Sequence, residues 1–394
     1  MSHPNWITTP LSADLVRGAL ETESTQHGVR FHRLPEWARR QWPDSQLSMV
    51  ESQPSGVRIV FRTAASTIEI DVLRSRMAYT GLPPRPDGVI ELVVDRQVVD
   101  FVVTAGGITT TVDMATGTLV RGVEPACTAR FAELGDAMKS IEIWLPHNET
   151  VELGALRTDA PIEVLGASGQ PVWLHHGSSI SQGSNATRPT EIWPVAAARH
   201  SGAALVNLGF GGSALLDPFT ARAMRDTPAD VISVKLGINL VNTDIMRLRA
   251  FGPAVHGFLD TIREGHPDTP LLVISPIFCG IHEHTPGPGA FDPAALARGE
   301  VNFIATGDPA DVSSGRLTLT TIRAALADIV RQRSVDDANL FYLDGRELYG
   351  ESDPAEHQQL LPPAPVAVAL GRGPRVGPVD DVRRTGLGGG GLRP

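Results

Sequence analysis

The hydrophobic rhythm of the chain changes near residue 157, and that change constrains the fold more than any other feature. Before it, residues 56–62, 66–72 and 140–145 alternate apolar and polar side chains, the period of a half-buried strand. Residues 89–94 and 98–103 flank a short polar break and read as a hairpin. Period-two runs broken by Pro86-Asp87-Gly88 and Gly106-Gly107 predict a β-sandwich over 27–156, with one helix at 35–42 and an N-terminal arm over 1–26. Residues 157–170 hold Pro161, Gly166 and Gly169 and read as a linker. Beyond it, apolar runs at 171–174, 203–208, 230–236, 270–275 and 340–343 alternate with helical patterns at about 193–200, 219–225, 247–264 and 317–332. Five strands joined by crossover helices predict an α/β domain over 171–357, a doubly wound parallel sheet with helices on both faces. The Gly/Pro-rich stretch 279–314 reads as a long loop and a candidate lid.

Composition narrows the function classes. The net charge is −10, which argues against a general binder of nucleic acid or anionic membrane. No apolar run is long enough to cross a bilayer. The first ten residues are polar and interrupted by proline, so no signal peptide is expected, and the sequons at Asn148 and Asn185 are read as unglycosylated. Cys127 and Cys279 fall in different predicted domains, which argues against a disulfide and fits a reducing cytoplasm.

The chemistry gathers at three strand ends. The first carries Gly177-Ser178-Ser179-Ile180, the second Asn207 to Gly212-Ser213, the third Gly237-Ile238-Asn239. In a doubly wound sheet these carboxyl ends face one crevice. Acyl transfer needs a nucleophilic hydroxyl beside donors aimed at a developing oxyanion. Ser179 can supply Oγ and its own N–H, Gly212 an unobstructed N–H, and Asn239 a side-chain NH₂. Each alone is the ordinary residue of a turn or helix cap; all three in order at successive strand ends are hard to reach by turn chemistry alone.

With these blocks the sequence resembles the SGNH/GDSL hydrolases, in the branch with a β-sandwich before the catalytic domain. Gly177-Ser178-Ser179-Ile180 stands where the family has Gly-Asp-Ser, with Ser178 in the place of an aspartate that is not the nucleophile. Gly212 matches the glycine of the second block, and Gly237-Ile238-Asn239 the Gly-x-Asn of the third. The resemblance implies a flavodoxin-like sheet of about five strands and a Ser179 acyl-enzyme. Its oxyanion would be held by Ser179, Gly212 and Asn239, with no metal or organic cofactor. The substrate implied is a small or carbohydrate ester, O-acetyl groups on a sugar included. A lipase or thioesterase of the same fold is the first rival, and a carbohydrate-binding protein with impaired catalysis the second.

The second rival draws on a departure. The family's last block, Asp-x-x-His, supplies the general base and is expected soon after Tyr349, with a closing helix behind it. Asp353 and His357 are the nearest pair, with one residue too many between them. From 358 the chain turns to a Pro/Gly/Arg-rich tail without histidine or aromatic residues, a composition that reads as disordered. A shift of reading frame near 358 and loss of the block in a real variant would each give this pattern. Elsewhere, His175 and His176 line the pocket or pack beneath it. His282-Glu283-His284 resembles half of a metal site but lacks a third ligand in view. Trp37 and Trp42 form either a sugar platform or, as the plainer reading, packing against the sandwich.

Overall fold

A computed structural model describes residues 5–113, 116–166 and 169–353. The sandwich is built on the twelve-residue strand Ile68–Tyr79, which pairs antiparallel with Thr150–Thr158 and Cys127–Phe131, and parallel with Ile108–Val112. Period-two alternation explains its placement. Ile68, Ile70 and Val72 are fully buried, while Glu69 and Asp71 on the other face meet Arg157, with Arg157 Nη1 2.6 Å from Asp71 Oδ2. The facing sheet runs through Arg58–Thr63, Lys139–Trp144, Val89–Val94 and Gln97–Val103. The last two form the expected hairpin, and Asp95 (φ 47°) and Arg96 (φ 73°) turn it in the left-handed conformation that matches strand twist.

Neither flank of the sandwich stands apart from it. Within the segment read as an arm, Ile7–Thr9 pairs with Thr150–Thr158, Val16–Arg17 with Arg58–Thr63, and Glu21–Thr25 with Gly28–His32. Within the segment read as a linker, Ile162–Val164 adds a further strand beside Arg58–Thr63. Runs of two to five residues are too short to carry a legible period; except for the local hairpin Glu21–Thr25 with Gly28–His32, partners far off in sequence place them. Two helices, α1 (Glu36–Gln41) and α2 (Ser45–Glu51, capped by Asp44 accepting from the Leu47 N–H), leave the sandwich and lean on the second domain.

The second domain is the expected doubly wound sheet. Five parallel strands lie in the order Ala204–Gly209, Val172–Gly177, Val231–Lys235, Leu271–Ile274, Leu340–Leu343. The first strand in sequence therefore lies inside the sheet, between the second and third, and the crevice of such sheets opens above that reversal. A short α3 (Ser179–Gln182) follows the first strand directly, then α4 (Trp193–Ser201), α5 (Pro218–Asp226), α6 (Ile238–Asn242) and α7 (Leu248–Gly265). Alternation along the strands divides the core. Leu174, Ile232 and Val273 pack with Phe219 of α5 and Phe258 of α7, while Trp173 and Ile274 share a cluster with Trp193 of α4 and Trp144 of the sandwich. The stretch 279–314 is more ordered than a plain loop. It carries a small hairpin, Gly289–Phe291 with Phe303–Ala305, and α8 (Pro293–Leu296), before α9 (Leu319–Arg333) begins on a Thr318 capping box.

Candidate active site

The first strand ends at Gly177, Ser178 is buried in extended conformation, and Ser179 opens α3 half-exposed. The turn sits tightly against the second strand's end. A methyl group on Gly211 would stand 3.5 Å from Ser179 Cβ, ordinary van der Waals contact, and 3.0 Å from Gln182 Oε1, the tighter of the two. Gly211 donates its N–H to Gln182 Oε1 at 2.7 Å, tying α3 to the second strand end. Gly212 follows with φ 74°, a left-handed position that favours glycine. Ser213 N–H closes the turn onto Phe210 O at 3.1 Å. From the third strand end, buried Asn239 accepts the Ala214 N–H on Oδ1 at 3.1 Å. That bond fixes which way the amide faces and leaves Nδ2 as its donor end. Ser179, Gly212 and Asn239 are thus linked through the single segment 211–214. The backbone N–H groups of Ser179 and Gly212 are engaged by no other group among the described residues, and Ser179 Oγ likewise makes no hydrogen bond there.

Beside Ser179 lies a recess of about 40 Å³, walled by Ile180, Gly183, Ala186, Ile192 and Trp193. Beneath it the two strand histidines are fully packed. His175 Nε2 is 2.8 Å from Ser181 Oγ, and its Nδ1 is 2.7 Å from Ser233 Oγ, which also accepts from Trp173 Nε1 at 2.9 Å. Burial holds His175 well below the usual imidazole range, with His176 and Lys235 adding to the effect. His176 shares a hydrogen bond with Leu208 O at 2.8 Å, stacks on Phe258, and is pushed down to about 4 by burial. Both are neutral supports of the strand end and do not line the recess.

Nothing in the local sequence signals how far the sandwich reaches into this site. Gln46 of α2 donates to Gly211 O at 2.8 Å, and Ser55 donates to Gln182 O at 2.6 Å. Asn207 Nδ2 donates to Ser55 Oγ and to Ser181 O, each at 2.9 Å. Arg33, fully buried, donates to Asn207 O at 3.0 Å and Gly209 O at 2.6 Å, and also to Val50 O and Gln53 O. Burial pulls its guanidinium down to about 9, with Glu51 opposing. Buried His147, from the sandwich, lies near the backbone of Gly183 and Ala186 and is pushed down to about 4 by burial. Polar residues in a strand-rich region look alike in sequence, and only docking singles these out.

Three further expectations meet the structure here. Glu283 is held by Arg323 in a bidentate pair at 2.6 and 2.8 Å, anchoring the loop that bears His282 and His284, and among the described residues no group of three ligands could hold a metal. Trp37 and Trp42 do not pack against the sandwich as expected: Trp37 lies under Arg222 of α5, and Trp42 is 65% exposed. They sit on a helix that leaves the sandwich, so its core offers them no surface. Asp353 is exposed and accepts the Gly350 N–H at 2.6 Å, closing a turn; His357 lies outside the described residues.

A parallel sheet with reversed strand order, carrying a serine at the first strand's carboxyl end beside a glycine turn, is the flavodoxin-like α/β architecture. Residues 171–279 match the family model of the GDSL-like lipase/acylhydrolase family. The second domain has the GDSL/SGNH fold and is preceded by a β-sandwich. No curated protein matches the chain. Among solved structures, a salicylyl-acyltransferase, SsfX3, from a tetracycline biosynthetic pathway is 23% identical, with a TM-score of 0.72 over 89% of this chain and 88% of that one. A crystal structure from Bacteroides ovatus described as a GDSL-like lipase is 20% identical, with a TM-score of 0.60 over 88% of this chain and 89% of that one. A family two carbohydrate esterase from Cellvibrio japonicus is 12% identical, with a TM-score of 0.51 over 86% and 88%. All three share the two-domain extent of this chain. Among the described residues no helix is long and apolar enough to cross a membrane.

Proposed function

We propose that this chain is a serine esterase of small esters, acting through an acyl-enzyme on Ser179, with O-acetyl groups on a carbohydrate as the favoured substrate class. The observation that carries the reading is the half-exposed Ser179, its N–H unengaged among the described residues, next to the Gly211–Gly212 turn whose Gly212 N–H is likewise unengaged there, with the Asn239 amide turned by Ala214. Ser179 Oγ attacks the ester carbonyl carbon and gives its proton to a base. The carbonyl oxygen becomes an oxyanion held by those three donors. Collapse expels the alcohol, which takes the proton, and water then hydrolyses the acyl-enzyme by the same route. The recess of about 40 Å³ suits an acetyl-sized acyl group and disfavours the fatty chain of a lipase. Structural likeness to a carbohydrate esterase and to an acyltransferase is compatible with this choice and does not fix it.

The base is the open element. His357 is the only histidine beyond residue 284, and the family's order places the base after Tyr349. The extra residue between Asp353 and His357, a departure from the Asp-x-x-His spacing, also supports a second reading, a carbohydrate-binding protein with impaired catalysis. Fluorophosphonate labelling separates the two, because it needs an activated serine. The esterase reading expects labelling that Ser179→Ala removes and His357→Ala weakens. A chain that never labels, yet retains an oligosaccharide on an affinity column, belongs to the second reading.

A further inference from the structure

The seam between the two domains holds a cavity of about 360 Å³ at the end of the sheet opposite Ser179. It lies beside Leu205, near the amino end of the second parallel strand, and Arg199, near the carboxyl end of α4; Arg58 and Trp144 of the sandwich form the facing wall. A six-residue strand spans roughly 20 Å at about 3.3 Å per residue, so the whole length of the first strand separates this cavity from the crevice. The volume falls within the range of about 300–1,000 Å³ usual for small-ligand pockets, which favour domain interfaces.

Its charge is one-sided. Arg58, Arg96, Arg199 and His200 line it against a single carboxylate, Glu142. Arg58 is the decisive residue. It is 8% exposed, and neither its Nε nor its Nη1 makes a hydrogen bond among the described residues. Its ion-pair partner, Glu142 Oε2, is 3.7 Å from Nε and already accepts from Trp144 Nε1 at 2.8 Å. The guanidinium lies 4.7 Å over the Trp144 ring, which holds it in place but satisfies none of its N–H groups. Burial pulls Arg58 below the ordinary arginine range; Glu142 opposes this, and Arg17 and Arg199 add to it. A buried cation is costly to keep when its one carboxylate neighbour stands 3.7 Å away, and an oxyanion in the cavity would bring the missing countercharge to the face of the guanidinium that lines it. Guanidinium groups match the paired oxygens of carboxylate and phosphate.

We propose that this seam cavity is a binding site for a small organic oxyanion, a carboxylate or a phosphate monoester, whose head pairs with Arg58, Arg96 and Arg199 and whose body lies along Val93 and Trp144. Such a ligand touches both domains, so its binding energy adds to the stability of their docking. The site is independent of the esterase reading.

The test uses the full chain with phenyl phosphate and benzoate as probes, phenol as the neutral control, and constant ionic strength. Titration calorimetry and thermal unfolding are the readouts. The expected result is saturable binding and a raised Tm with at least one anion and none with phenol; which anion binds names the head group. Arg199→Gln and Arg96→Asn, the latter suited to the left-handed backbone there, lie on the rim and should fold like the parent. Each should weaken binding by about tenfold or more, the worth of a hydrogen bond to a charged group. Ser179→Ala should bind as the parent does. The proposal is overturned if neither anion binds saturably, if both arginine variants bind like the parent, or if Ser179→Ala abolishes binding.

Discussion

Gly209→Ala should injure the protein through space alone. Gly209 ends the second parallel strand. A Cβ there would lie 2.5 Å from Gln182 N, 2.6 Å from Ser181 C and 2.9 Å from Ser181 O, all of them backbone atoms of α3. Carbon contacts relax at about 3.5–4.0 Å, so α3 must retreat by roughly 1 Å. It has little freedom to do so, because Ser181 O and Gln182 O are held by Asn207 and Ser55. Overpacking of this kind costs about 1–3 kcal/mol. At about 2–4 °C per kcal/mol for a domain of this size, Tm should fall by roughly 2–12 °C. Ser179 lies on the same short helix, and a displacement near 1 Å costs about 100-fold in rate where a reaction depends on that geometry. The assay is thermal unfolding of the parent, Gly209→Ala and Gly257→Ala. Gly257 is exposed within α7, and a Cβ there meets nothing within 4 Å, so the same substitution should stabilise by about 0.5–1 kcal/mol. Equal Tm values for Gly209→Ala and the parent would refute the packing argument, whatever the rates.

Other expectations are equally direct. In an active form, Asn239→Ala should lower kcat by about 10²–10³ with little change in KM, measured on p-nitrophenyl acetate; a pure KM effect would move Asn239 to substrate binding. Arg33→Met strands the carbonyls of Val50, Gln53, Asn207 and Gly209, and should destabilise by about 3–5 kcal/mol in denaturant unfolding. Burial holds His147 and His176 at about 4 in the folded chain, against about 6.5 for an ordinary imidazole. The unfolded chain therefore takes up their protons first as pH falls, and stability should decline between about pH 6.5 and 4. His147→Gln should flatten that decline in urea titrations; an unchanged slope would discount the residue.

The sequence determined the elements and their order. Period-two runs such as 66–72 can bury one face only as strands, and a twelve-residue strand, Ile68–Tyr79, stands there. The strand–helix rhythm after 171 permits little but a parallel sheet, and the five apolar runs are its five strands. Ser179, Gly212 and Asn239 could be singled out because each lies within a few residues of a strand end, where local chemistry is legible. Tertiary structure decided what depends on partners distant in sequence. The short strands Ile7–Thr9 and Ile162–Val164 acquire their place only by pairing with Thr150–Thr158 and Arg58–Thr63. Arg33, Gln46 and Ser55 look like surface residues in a strand-rich region, yet they brace the serine turn across more than 120 residues of chain. Arg58 reads as one polar position in an alternating strand, and only the docking of α4 encloses it in the seam cavity. Period and turn chemistry are local and written along the chain; burial and charge at a domain seam arise from docking and have no local signature.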